Sequence, residues 1–168
     1  MISPYAALAF LPFAAAIAIW VSWSDMKFMK IPNKSVIALL LVWLLIGPLA
    51  ILLTGLPAME WLWGWALAAI VLAIGFVANA LRLVGAGDAK FGAAMAPFFV
   101  GADLRMVFAL FAACLLGAFA AHRGIRLIGP FRSATADWAS WTHKDFPMGL
   151  ALSGTLVFHL LLTITGAF

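Results

Sequence analysis

Six apolar stretches, separated by short polar breaks, take up most of the chain: about 2–23, 35–54, 60–84, 89–102, 104–121 and 148–168. A helix needs ~20 mostly apolar residues to cross a hydrocarbon core of ~30 Å, so these stretches predict transmembrane helices. The expected fold is all-α, a polytopic integral membrane protein of about six transmembrane helices. Residues 1–168 then form one transmembrane domain, with no room for a separate soluble one. The first stretch has no Lys or Arg before Lys27, so it lacks the basic start of a cleaved signal and reads as a retained helix. Pro48 is expected to bend the second. Trp61, Trp63 and Trp65 at the start of the third suggest an interfacial aromatic belt.

The fourth stretch is short and carries Pro97. From Asp88 to Asp103 there are 15 steps, a rise of only ~22 Å. If this segment spans, one of its ends must lie below the membrane surface. Gly85 and Gly87 let the backbone turn there, and irregular backbone at that depth needs protein or a water-filled cavity over it. Asp88 would then stand in a partly buried polar notch.

Composition sharpens the picture. The chain is 67% apolar and 10% charged, against roughly a quarter charged in soluble domains, which excludes a water-soluble globule. Cys114 is the sole cysteine, too few for a disulfide framework or a thiolate zinc site, and no metal or organic cofactor is implied. The net charge of +4 does not call for nucleic acid, because the cations sit in loops between apolar stretches. Lys27, Lys30, Lys34, Arg82, Lys90, Arg123, Arg126, Arg132 and Lys144 fall on one side of a six-span arrangement, and Arg105 alone on the other. The positive-inside rule therefore puts the first, third and fifth loops in the cytoplasm and both termini outside.

The six acidic residues divide by position. Glu60 and Asp103 fall at the outer side, Asp137 and Asp145 in the long loop 122–147, and Asp25 and Asp88 at the cytoplasmic ends of the first and fourth stretches. Taken singly, Asp88 reads as a helix N-cap and Asp25 as a headgroup-level charge paired with Lys27 or Lys30. Taken together, two carboxylates at one depth are the minimum equipment for general acid and base work on water. Close together in a low-dielectric site they share a proton and titrate as a unit. The ionised member can deprotonate a water attacking an amide, and the protonated one can polarise the carbonyl.

Gly85-Ala86-Gly87-Asp88-Ala89-Lys90 resembles the GxGD motif, with its trailing Lys, of the type IV prepilin peptidases, membrane aspartic proteases. The run from Asp25 through Lys27 and Lys30 to Ile31-Pro32-Asn33 is similar to that family's other signature, and Pro147-Met148-Gly149 to its Pro-x-Gly element. The resemblance implies a GxGD-type architecture, Asp25 and Asp88 as catalytic residues, and cleavage of the basic leader of a type IV pilin precursor at the cytoplasmic face of the bacterial inner membrane. Length and the lack of a large insertion resemble the short CpaA or TadV kind, associated with Flp pili. They argue against the methyltransferase activity of longer relatives. Lys27 and Lys30 stand where Arg is common, which keeps charge for leader contacts but loses bidentate donors.

Lys90 could stabilise an ionised carboxylate or simply snorkel. Asn79 is expected to bond across helices, His159 to be a neutral packing residue, and Gly64, Gly75 and Gly117 to allow close helix approach. The stretch 133–141 reads as an interfacial segment with Trp138 and Trp141 inserted, or as a mobile loop. Two other classes stay open: a proton-coupled transporter through Asp25, Asp88 and His159, and a non-catalytic pilus assembly protein. The precursor's identity and the oligomeric state are not legible.

Overall fold

The computed structural model describes residues 2–167, whose regular structure is all helical. In chain order the helices are α1 (Pro4–Phe28), α2 (Asn33–Thr54), α3 (Ala58–Ala80), α4 (Ala86–Met95), α5 (Leu104–Arg126), α6 (Gly129–Ala134) and α7 (Met148–Ile164). A 3-10 turn, Ala96–Phe99, extends α4, and another, Ala139–Trp141, lies in the loop before α7. Helices α1, α2, α3 and α5 are long and apolar enough to cross a membrane, and α7 is a shorter apolar helix. The chain is thus a polytopic integral membrane protein. Its exposed faces fit that setting: Leu52, Leu53, Phe76 and Leu116 all face outward, which suits lipid and not water.

Helix α4 with its turn is the central element. It packs against α2, α3 and α7, and Phe91, Ala94 and Phe98 along it are buried. Phe98 meets Phe10 of α1 and Trp43 of α2, with all three ring centroids 5.1–5.2 Å apart. Pro97 has no N–H to continue the helical ladder, so α4 gives way to the 3-10 turn at depth. A carbonyl at the end of that turn needs a donor, because lipid offers none. His159 of α7 supplies it, with Nε2 3.0 Å from the Phe98 carbonyl oxygen and its ring stacked on Phe99 at 4.2 Å. This matches the packing role expected for His159.

Helices α2 and α3 interlock through tryptophan. Trp61 Nε1 donates to the Trp43 carbonyl at 3.0 Å, and Trp43 Nε1 donates to the Trp61 carbonyl at 3.2 Å. Gly47 and Gly64 leave the space these rings occupy; a side chain at either would collide with Trp61 or Trp43. Trp61 is therefore a packing residue, and Trp63 is the one of the expected belt that is exposed. Gly75 likewise lets α3 close on Ala89 of α4, whereas a Cβ at Gly117 would meet nothing within 4 Å. Close packing accounts for Gly64 and Gly75 but not for Gly117.

His159→Phe preserves ring stacking but strips the Phe98 carbonyl of its donor. The substitution should cost ~1–3 kcal/mol, read as a lower melting temperature in detergent. An unchanged melting temperature contradicts this role.

Candidate active site

Helix α1 ends just past Asp25. Met29 adopts the left-handed conformation (φ 52°), its N–H donates to the Asp25 carbonyl at 2.9 Å, and Ser24 Oγ donates to the Lys30 carbonyl at 2.9 Å. These bonds fix the turn that carries Lys30, Ile31 and Pro32 into α2. Pro32 is the N-cap of α2, and Ser35 Oγ donates back to its carbonyl at 2.7 Å.

The Gly-rich segment packs directly on this turn. A Cβ at Gly87 would lie 3.3 Å from Ile31 Cβ, so glycine allows the Asp88 turn to rest on the Ile-Pro turn. Gly85 is the N-cap of α4, and a Cβ there would lie 2.6 Å from Asp88 Oδ2. Asp88 sits in the first turn of α4, where the positive end of the helix dipole favours a carboxylate, and it is not the N-cap. Lys90 Nζ reaches Asn33 Oδ1 at 3.4 Å, joining the last members of the two motifs.

The third motif closes on the other aspartate. Pro147 is the N-cap of α7, and the Gly149 N–H donates to Asp25 Oδ2 at 2.7 Å. The first N–H groups of any helix lack intrahelical acceptors, so a carboxylate from α1 supplies one for α7. A Cβ at Gly149 would lie 2.9 Å from both Asp25 Cβ and Oδ2, so the bond requires glycine here. Asp25 is 5% exposed and held, while Asp88 is half-buried.

Open space flanks the pair on two sides. A cavity of about 540 Å³ is bounded by the end of α1, the Ile31–Pro32–Asn33 turn and the stretch from Gly85 to Asp88, with Lys30 at its edge. A second, of about 640 Å³, lies toward Arg82, His143, Asp145 and Met148. Asp25 and Asp88 line both. Volumes of this size, lined in part by charged side chains, have room and partners for water. Among the described residues, no three His, Cys, Asp or Glu side chains gather as a metal-holding group.

Other expectations are redrawn. Lys27 lines neither cavity; it pairs with Asp137 at 3.1 Å and lies over the rings of Trp23 and Phe28. Asn79 bonds locally, its side-chain N–H donating to the Val84 carbonyl at 2.9 Å, not across helices. Trp141 is buried in protein, not inserted in lipid: it stacks on His122 at 5.0 Å and donates from Nε1 to the Thr135 carbonyl at 2.8 Å. The loop 122–147 is thus folded over the end of the bundle that carries Asp25 and Asp88. Arg82, His143 and Asp145 were not singled out for the site. The one sequence cue for Asp145 is its place two residues before Pro147.

A model of the type IV leader peptidase family matches residues 12–122. The chain belongs to that family. The match encloses Asp25, the Ile31–Pro32–Asn33 turn and Asp88, and ends before the Pro147–Gly149 element. No curated protein and no solved structure matched the chain. Membership brings with it a leader-peptidase type of activity in general, that of a protease.

Gly85→Ala should push the Asp88 carboxylate aside and slow peptide cleavage ~100-fold with insertion intact, since ~1 Å of misplacement can cost that much. Gly124→Ala, where a Cβ meets nothing within 4 Å, should keep the parent rate in the same cleavage assay. Equal rates for the two variants contradict the geometry.

Proposed function

We propose that the protein is a prepilin leader peptidase, a membrane aspartic endopeptidase of the bacterial inner membrane. It cleaves the basic leader of type IV, Flp-type pilin precursors at the cytoplasmic face. Asp25 and Asp88 are the catalytic pair. The observation that carries this reading is that two acids 63 positions apart in the chain line the same two cavities.

The pair holds one proton between them. The ionised carboxylate takes a proton from water as the oxygen attacks the scissile carbonyl carbon, and the protonated carboxyl donates to the carbonyl oxygen. Collapse of the tetrahedral adduct breaks the C–N bond. As it collapses, one hydroxyl of the adduct gives its proton to the ionised carboxylate while the leaving nitrogen takes the proton of the other carboxyl, so the pair is again singly protonated. Gly85 and Gly87 shape the turn that presents Asp88. Gly149 and Pro147 orient Asp25 through the start of α7. Ile31, Pro32 and Asn33 brace the opposite wall, with Lys90 tied to Asn33. Lys30, at the rim of one cavity, can contact substrate, and Lys27 acts through its ion pair with the loop.

The placement of nine of ten cations on one side supports a cytoplasmic site with both termini outside. Water reaches the pair from that side, and the chemistry needs no cofactor.

Co-expression with a pilin precursor tests the pair. Asp25→Asn and Asp88→Asn should each reduce cleavage ~100-fold or more while the protein accumulates normally in the membrane. Ordinary cleavage by either variant contradicts the proposal.

A further inference from the structure

Another cavity, of about 460 Å³, opens between α3 and α5. Helix α3 packs against α4, and α5 against α7, which leaves a gap walled by Leu67 and Val71 on one side and Phe108 and Phe111 on the other. Its floor is made by α4 and α7. The lining is apolar apart from Thr155, whose hydroxyl donates to the Ala151 carbonyl at 2.8 Å and so presents no unmet polar group.

The floor runs into the aspartate site. Asp88, Gly92, Met95 and Phe99 fall at i, i+4, i+7 and i+11, on one side of α4 and its turn. Met148, Leu152 and Thr155 repeat that spacing on α7. Asp88 and Met148 line the cleft that also holds Arg82 and Asp145, whereas Gly92, Met95, Leu152 and Thr155 line the apolar groove. The two volumes thus follow one another along the same pair of helix faces. A Cβ at Gly92 would meet nothing within 4 Å, so an incoming helix can approach the α4 backbone there. Gly92 lies one turn, ~6 Å, from Asp88.

Charge separates the two aspartate cavities. The one continuous with the groove holds Asp25, Asp88 and Asp145 against Arg82 and His143, whose Nδ1 lies 3.6 Å from Asp145 Oδ2 and carries charge only when protonated; the other holds Asp25 and Asp88 against Lys30. The more acidic cavity suits a basic segment.

We infer that the groove between α3 and α5 is the dock for the apolar transmembrane helix of the substrate, whose basic leader leaves through the cleft beside Asp145. This rests on the peptidase reading. The docked helix packs closest at Gly92, so its cytoplasmic end unwinds at the level of Asp88, where the cut is made.

The test uses the full-length protein in vesicles with a synthetic precursor, a Lys-rich leader joined to one apolar helix of ~20 residues. Gly92→Leu fills the groove, and Gly117→Leu adds the same bulk at a site on α5 where a Cβ also meets nothing within 4 Å. Gly92→Leu should lower kcat/KM at least ~10-fold, chiefly through KM, with melting temperature kept, and Gly117→Leu should cleave as the parent does. A photocrosslinker at Val71 or Phe108 should capture the precursor, and one at Leu52 on the far side of α2 should not. Equal cleavage by the two leucine variants, or capture of phospholipid alone at Val71 and Phe108 while the precursor is cut, overturns the dock and leaves the peptidase reading standing. Cleavage that survives Asp88→Asn removes the reading on which the dock rests.

Discussion

The 10 residues of α4 and the 4 of its 3-10 turn cannot cross a bilayer, and most of the molecule answers that constraint. They rise only ~15 and ~8 Å against a hydrocarbon core of ~30 Å. One end must be closed inside the protein, which His159 does at the Phe98 carbonyl, and the other must open below the surface, which the Gly85–Gly87 turn does. A carboxylate at that second end stands deep enough to be shielded from bulk water and close enough to meet it through the flanking cavities. Asp25 is brought to the same place by a separate device, the 2.7 Å bond from the Gly149 N–H that joins the start of α7 to the end of α1.

The site was more legible in the sequence than the packing. Gly85 and Gly149 stand where a Cβ would strike Asp88 and Asp25, and Gly87 where one would crowd Ile31, so the motif glycines record close contacts. The short fourth stretch could be recognised because its length is a count, and its consequence at Asp88 followed from bilayer thickness. The lipid-facing side of each helix was hidden, because an apolar side chain suits protein and lipid alike. Trp61 and Trp63 stand two residues apart in one helix, yet one bonds to Trp43 while the other faces outward. The partners of Lys27 and Asn79 lay in loop geometry that spacing does not encode. The stretch 133–141 presented two equal readings, and its burial of Trp141 against His122 depends on a stacking contact between distant segments.

Membership in the type IV leader peptidase family and the geometry of the aspartate pair converge on one account. Helices α1 and α4 carry the two aspartates, α7 holds Asp25 through the Gly149 N–H, and α2 begins at the turn beside them. α3 and α5 are exposed over most of their length and flank the apolar groove. Rigidity is concentrated at Asp25, which is buried and bonded, and openness at Asp88, which is half-buried between two cavities.

The central claim is that residues 25 and 88 share one wet chamber facing the cytoplasm. Proximity labelling of Asp25→Cys/Asp88→Cys in a Cys114→Ala background reads this directly, using a short two-headed thiol reagent that cannot cross lipid. In inside-out membrane vesicles, intact mass should rise by one bridging linker with both thiols consumed, and right-side-out vesicles should stay unlabelled. Two separate single-ended adducts, or labelling of the two cysteines from opposite sides of the membrane, would contradict the account.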